Sequence, residues 1–549
     1  MKIGIIGINR YAKFLNFACD LHVYAFQQFL EQNGYESTIL DYHPVYFDNF
    51  NMRHPADHAD EKLRKALAMP SDTPAKRQAR DAAVAKWTER SRDYREVYEE
   101  REVRYDKFEA FVEKNLKFTK EVYDSDLLEV QDPGFDCYMC VTDVIWQSLP
   151  RHNFDRGFLL GSKAFEGKQK IAYAASRGAS KDYTKRQQEL FLNYLDDIDA
   201  VSVREADFAK YIESLSGREV PTVLDPTLLH DRDFWDKVAT KPKEKKFVLL
   251  YYVMESSTDT IAKAVEYAKH HDLTLVEVSD RPLKYGKVKD PDVKHIARYD
   301  VGMDEWLGYI RDAEAVFTNS FHGCCFATIF EKAFFVGARN GSKVPNFLAT
   351  FGLQDRRFQA SDDVSTFVHE VDYVAVKKIL DERRAESAEF VLGALKEAER
   401  KVAAGESKDP AKYEARRQAL TYPAKFHSGA GGGTGLSVKQ KFRRRVEVQK
   451  LSGGGVEYKV PKARYRNDGT AEIPGVRFRR EGRTFAGWRL RFRIDNRWFW
   501  YLDDGTIEVG TVGGQELADR AKVFADGDRI PHLPVNHVSV AVFVAQWEK

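Results

Sequence analysis

The stretch Asp312–Phe335, DAEAVFTNSFHGCCFATIFEKAFF, constrains the fold more than any other part of the chain. Ala315-Val316-Phe317 is an apolar run long enough for a buried strand, Thr318-Asn319-Ser320 are capping residues, and Phe321 to Phe330 reads as a helix on the inner face of a domain. A strand that enters a helix through small polar residues makes an anion site, because free backbone N–H groups and the positive end of the helix dipole point at the ligand. His322 falls in the first turn, where an imidazole can pass a proton to or from an anionic substrate, and Gly323 leaves room for close approach. For a lone histidine the plainer role is to cap its helix or fill a crevice.

A chain of 549 residues exceeds a single core, so several domains are expected. Its net charge of +2 gives no overall field that would draw nucleic acid. No apolar run reaches the length of a membrane span, and the opening MKIGIIGINRYAKF reads as a first strand, not a signal peptide, so the expected location is the cytoplasm, with the inner face of the membrane as a peripheral site. The five cysteines fit reduced thiols. Cys137 and Cys140 form a lone CxxC inside an apolar run, which reads as buried strand cysteines before zinc or redox chemistry, and no metal-ligand spacing follows.

In order, Lys2–Ile8 is a strand, Asp20–Asn33 a helix ended by Gly34, and Ser37–Tyr42 a strand: a βαβ opening that implies a parallel sheet, without the GxGxxG of a dinucleotide site. Residues 55–120 are rich in helix formers and mixed charge and read as a helical excursion with solvated faces, with a lid or a partner surface as the alternative. Strands are then expected at Cys137–Val141, Lys170–Ala175, Ala200–Val203 and Val220–Leu224, each ending in polar, small or charged residues, where open α/β sheets bind ligands. After the charged linker Lys241–Lys246 a second α/β pattern follows: strand Phe247–Val253, helix Thr258–His271, strand Thr274–Glu277 and helix Met303–Asp312 feeding the central stretch. Lys377–Ala403 reads as a long helix able to pack across both halves.

The fold class is therefore α/β: two Rossmann-like domains (1–238 and 239–403) in a GT-B-like arrangement, which brings His322 opposite Arg204 and Asp143. GESKDP and HSGAGGGTG mark residues 404–434 as a flexible linker. Residues 435–549 turn to short alternating runs such as RLRFRI and VSVAVFVAQW, a small β-rich domain.

Six pieces, NFACDLHVYAFQQFLEQNGYES, VTDVIWQ, KIAYAASRG, SVREAD, DPTLL and TNSFHG, occur in an order and spacing that resembles the polysaccharide pyruvyl transferase family over roughly residues 1–400. The resemblance implies transfer of pyruvate from phosphoenolpyruvate to two hydroxyls of a sugar, giving a pyruvate ketal and phosphate without a cofactor. It implies catalytic roles for His322 and Asp143, and substrate binding by Arg204, Asn319, Ser320, Gly323, Arg177 and Asn16. Val141-Thr142 replaces the family's Gly-Ser before that aspartate, and Ser320 stands where some relatives carry arginine. On the residues alone, Asp143 serves equally as a helix cap. For Arg204 the lesser alternative is a surface ion pair with Glu205 or Asp207, Asp225-Pro226-Thr227 reads as a structural turn, and Trp146 and Tyr173 read as core. The acceptor implied is a glycan or lipid-linked oligosaccharide. A nucleotide-sugar glycosyltransferase, with Glu314 or Asp304 on the ribose, and a non-catalytic glycan-binding or assembly protein are the alternatives.

GAGGGTG, REGRTFAGW and FVAQW in the last third resemble the internalin-type bacterial B repeat, a β-grasp-like module. That likeness implies a glycan, protein or peripheral membrane partner, through Arg443–Arg445, Arg477–Arg480, Trp488, Trp498 and Trp500.

Overall fold

The computed structural model describes residues 1–8, 15–44, 51–125, 127–129, 131–149, 154–178, 182–253, 258–279, 290–338 and 341–413, and beyond these the segments 421–427, 437–438, 447–450, 456–459, 463–466, 472–473, 484–494, 497–510, 519–525, 527–530, 533 and 540–548. The first domain runs β1 (Ile3–Gly7), α1 (Phe17–Gln32), β2 (Ser37–Tyr42), α2 (Pro55–Leu67), α3 (Pro74–Glu96), α4 (Tyr98–Asn115), β3 (Phe118–Tyr123), β4 (Cys137–Asp143), β5 (Gln169–Ala175), α5 (Lys185–Leu195), β6 (Ala200–Val203), α6 (Ala206–Ser216) and α7 (Arg232–Asp236). Its six strands form a parallel sheet in the order β3-β2-β1-β4-β5-β6. The second domain holds β7 (Phe247–Tyr251), α8 (Thr258–His270), β8 (Thr274–Glu277), β9 (His295–Ala297), α9 (Met303–Asp312), β10 (Ala315–Thr318), α10 (Phe321–Ile329), β11 (Ala333–Val336), α11 (Lys343–Phe351) and α12 (Tyr373–Ala403). Its five parallel strands are ordered β11-β10-β7-β8-β9. Both are Rossmann-like orders, and in each the direction of winding reverses once, between β1 and β4 and between β7 and β10. Ligands bind at the carboxyl ends of the strands flanking such a reversal.

The strands form where the sequence offers runs buried on both faces, as parallel sheets require: β1, β5 and β7 are buried at every residue. One apolar cluster extends from Ile3, Ile39 and Met139 through Phe17 and Trp235 to Leu249, Trp306 and Phe326, so the two domains share a core. Helix α12 crosses both, as its amphipathic length suggests. Arg383 and Arg384 donate to the carbonyls of Thr222, Leu228 and His230 in the first domain, while Tyr373 at its start bonds Lys332 in the second.

Four expectations are corrected. Val220–Leu224 is not a strand: Pro221 has no N–H to donate, a single bridge joins Thr222 to Val203, and the Leu224 amide turns to Ser387 Oγ at 3.0 Å. β3 was hidden in the end of the helical run because its charged middle, Lys120-Glu121, suits a solvent-facing edge strand. The excursion is more than a solvated hairpin. α3 buries only Ser91, but α4 braces the second domain: Arg104 is buried and donates to the carbonyls of Ser279 (2.6 Å) and Arg298 (3.0 Å). Lastly, the segment read as a flexible linker contains a strand, Thr421–His427, that pairs in parallel with Ala541–Val544 because its alternation fits an open sheet edge.

That strand belongs to a third, mostly antiparallel sheet built around Thr484–Ile494, Arg497–Tyr501, Ile507–Gly510 and Val540–Glu548. Trp488 and Trp500 are buried there. Arg443–Arg445 and Arg477–Arg480 lie outside the described residues. Among the described residues no helix is long and apolar enough to cross a membrane.

Candidate functional site

The two reversal points face one another, and a ring of charged groups fills the space between them. Arg204 follows β6. Its guanidinium donates to Asp143 Oδ1 (2.8 Å) at the end of β4, to Asp225 Oδ2 (2.6 Å) and to Glu205 Oε1 (3.1 Å), and it stacks over the Phe321 ring of the second domain at 4.3 Å. The side chain is only 3% exposed, so the solvated surface ion pair weighed for it is excluded. Asp225 is wholly buried and uses its two oxygens differently. Oδ1 accepts from the Thr227 amide and hydroxyl, the turn expected of Asp-Pro-Thr, while Oδ2 faces Arg204, the Thr142 hydroxyl (3.4 Å) and His322 Nε2 (3.5 Å). Lys343, at the start of α11, reaches across the cleft to pair with Asp143.

Burial alone would raise the carboxyl pKa values here. For Asp225 the charges of His322, Arg204 and His22 outweigh burial, and for Asp143 those of Lys343 and Arg204 lead. Both carboxyls are held well below the usual range. Burial opposes the charge on Arg204 too, but Glu205, Asp143 and Asp225 together raise its pKa further. Lys343 moves the other way, lowered first by burial with Asp143 opposing. Two cations thus face three carboxylates. An entering anion needs a further proton in this ring or the displacement of a carboxylate.

The backbone carries strain at the same place. Thr142 and Asp143 have φ of 45° and 59°, and the neighbouring Ala174 has 52°. For a β-branched residue such as Thr142 this left-handed conformation costs on the order of 1–3 kcal/mol. The Thr142 hydroxyl donates to Ala174 O at 3.0 Å and the Asp143 carboxylate is gripped by two cations, which over-determines the turn.

The remaining candidates divide. Ser320 is the N-cap of α10, its hydroxyl accepting from the Gly323 amide at 3.4 Å. Gly323 does leave room, but for Thr318: a Cβ there would meet Thr318 Oγ1 at 2.4 Å. Asn319 is buried and exchanges two hydrogen bonds with the Val253 backbone, tying β10 to the end of β7. Arg177 lies over Tyr211 at 4.5 Å and pairs with Asp182, apart from the ring. Asn16 caps α1 by accepting from the Ala18 amide. Trp146 and Tyr173 are core, as read. Of the ribose candidates, Asp304 is bonded to Thr240, and Glu314 precedes β10, at the end of the strand away from His322. Among the described residues no group of three His, Cys, Asp or Glu could hold a metal ion.

Three members of the ring were not singled out from the sequence. Asp225 sat in a motif piece whose turn chemistry explained it sufficiently. Lys343 had no local signal. His22, in the apolar helix α1, lies fully buried beside His322. A shallow pocket opens next to the ring, lined by Arg204, Phe321, Lys343, Asn346, Phe347 and Arg383.

The fold is similar to UDP-GlcNAc 2-epimerase from Methanocaldococcus jannaschii (13% identity, 72% of this chain and 99% of that chain, TM-score 0.35). It is similar also to the enzymes of that name from Neisseria meningitidis (10%, 72% and 100%, 0.36) and Rickettsia bellii (10%, 73% and 98%, 0.37). No curated protein matches the chain. Residues 19–340 match the family model described as polysaccharide pyruvyl transferase, a span of more than half the chain that contains every member of the ring except Lys343. The chain belongs to the polysaccharide pyruvyl transferase family.

Proposed function

We propose that the protein transfers the pyruvyl skeleton of phosphoenolpyruvate onto two hydroxyls of a sugar, in a surface polysaccharide or its precursor, as a cyclic ketal. The observation that carries this reading is the convergence of His322, Asp225, Arg204, Asp143 and Lys343 from two domains at the two reversal points. The reaction needs a proton delivered to the methylene carbon, attack of one hydroxyl on the adjacent carbon, and loss of phosphate as the second hydroxyl attacks. His322 serves as the acid for the first step, and the Asp225 carboxylate 3.5 Å from Nε2 stabilises the imidazolium that precedes it. Lys343, released from Asp143, meets the phosphate or carboxylate of the donor beside the α10 N-terminus. Arg204 holds Asp143, Asp225 and Glu205 in register, which makes it the organiser of the ring in place of the donor-binding fork implied by resemblance. The strands after residue 420 form the accessory unit that holds acceptor glycan or a partner.

The test is thermal unfolding with phosphoenolpyruvate and, separately, with nucleotide sugars. A ligand bound only by the folded state at a hundredfold excess over its dissociation constant adds about 2.7 kcal/mol. A rise in midpoint with phosphoenolpyruvate, lost in Lys343→Ala, is expected. A rise with nucleotide sugars alone sinks the reading. In turnover with a panel of methyl hexopyranosides, His322→Ala is expected to slow phosphate release by about 10²–10⁴-fold.

A further inference from the structure

Ketal formation moves two protons. Each sugar hydroxyl loses one; the first must end on the methylene carbon and the second on departing phosphate. A lone histidine would have to donate and accept in turn, with nowhere to hold the first hydroxyl's proton while it donates its own.

The ring contains a second imidazole. His22 on α1 stacks against His322 on α10, with centroids 6.0 Å apart and 27° between the rings, one histidine from each domain. It is 0% exposed, and among the described residues neither ring nitrogen has a hydrogen-bond partner. Buried polar atoms are rarely left idle, and a neutral imidazole with a free donor and a free acceptor is equipped to take up a proton on one side. The charged groups acting on it are Asp225, His322, Asp143 and Arg204. Burial, above all, with the repulsion of a charged His322, lowers its pKa to about 4 against the pull of Asp225, so at rest it is uncharged. Two neighbouring imidazoles, one of them uncharged at rest, can divide acid and base roles between them.

We propose that His22 is the second proton carrier of this site, paired with His322 across the domain junction. The inference rests on the pyruvyl-transfer reading. In the first addition the His322 imidazolium gives its proton to the methylene carbon, the first sugar oxygen bonds the adjacent carbon, and that hydroxyl's proton passes to His22. In the second, the bond from carbon to the phosphate oxygen breaks and the second sugar oxygen takes its place. The second hydroxyl's proton returns to His322, and His22 gives its proton to the phosphate. Both histidines end as they began, and the sum is phosphoenolpyruvate plus diol giving ketal plus phosphate.

The experiment is carbon-13 NMR of the full chain labelled at histidine Cε1, titrated with and without phosphoenolpyruvate, with His22→Gln and His322→Gln used to assign the two signals. The donor's negative charge draws a proton into the pair, so the His22 midpoint is expected to rise by about one pH unit, a tenfold change in proton affinity. Phosphoenolpyruvate that moves His322 alone overturns the inference and leaves the pyruvyl-transfer reading standing. If it moves neither, both fall. Glutamine at 22 keeps a donor and an acceptor but carries no proton. With a methyl hexopyranoside acceptor it should lower kcat by about 10²-fold and leave KM for phosphoenolpyruvate within about twofold. A His22→Gln enzyme with a wild-type rate and pH profile also overturns the inference.

Discussion

The two domains touch in two chemically opposite ways. At one contact Phe17 of α1 stacks on Trp306 of α9 at 5.2 Å, Tyr251 meets the same indole edge-on at 5.0 Å, and the Arg104 guanidinium lies over the Phe17 ring at 5.0 Å. At the other, Asp225, Glu205, the Arg204 side chain and two histidines are buried together, with Asp143 and Lys343 half-buried beside them. The first stabilises by removing apolar surface from water, and its strength needs no partner in a particular charge state. In the second, desolvation nearly cancels attraction, so the ring contributes little net stability while every member depends on the others. Aromatic packing holds the domains in place, and the charged ring uses that fixed geometry for chemistry.

Substitutions can set these contacts against each other. Arg204→Ala leaves the buried Asp225 and Glu205 and the half-buried Asp143 without their shared cation and is expected to cost about 3–5 kcal/mol in urea unfolding at neutral pH. Trp306→Ala should cost a similar amount, about 3–5 kcal/mol, through the cavity it leaves. The comparison breaks on acidification. Unpaired buried carboxyls take up protons readily, so the Arg204→Ala deficit should narrow as pH falls toward 5, whereas that of Trp306→Ala stays constant. In the wild type Asp143 and Asp225 have lowered pKa values, so their contribution is complete above the unfolded value of about 3.9 and is lost only as pH falls through the still lower folded values.

His22 gives a smaller signal of its own. Its pKa is about 4 folded and about 6.5 unfolded, so between these values the unfolded chain binds the extra proton. Stability should therefore rise by about 3 kcal/mol from pH 4 to 6.5, and a pH series of unfolding curves should show that slope flattened in His22→Phe. The smallest effect belongs to the brace. Arg104→Ala leaves the Ser279 and Arg298 carbonyls unpaired and should cost about 1–3 kcal/mol, with no dependence on pH in the same range.

The alternation of strand and helix was legible in both domains because parallel strands buried on two faces read as plain apolar runs: Ser37–Tyr42, Ala200–Val203 and Thr274–Glu277 fall where their composition places them. β3 and β9 were not legible, since β3 carries Lys120-Glu121 on its exposed middle and β9 has only three half-buried residues. Within the site, the strand ends and the α10 N-terminus could be read locally. The carboxylate facing His322 could not, because Asp225 and Asp143 end similar segments and only packing between domains decides which approaches the imidazole. The strain at Thr142 and the idle nitrogens of His22 are likewise products of tertiary structure, and both break local rules where the proposed chemistry sits.

Helix α12 sets the order in which this protein can be built. The Leu224 amide, one residue before Asp225, is bonded by Ser387, and Tyr35 near the end of α1 bonds Glu399. A chain emerging from synthesis forms its first sheet from local βαβ units, but the backbone on which Asp225 rests lacks its partner until a helix more than 160 residues later has been made. Such sequence-distant closures form late, after the loop entropy between them has been overcome. The segment that carries Asp225 is therefore expected to settle late. A nascent or truncated chain ending before α12 is expected to leave the Leu224 amide unbonded and Asp225 without a fixed place, and so to be inactive.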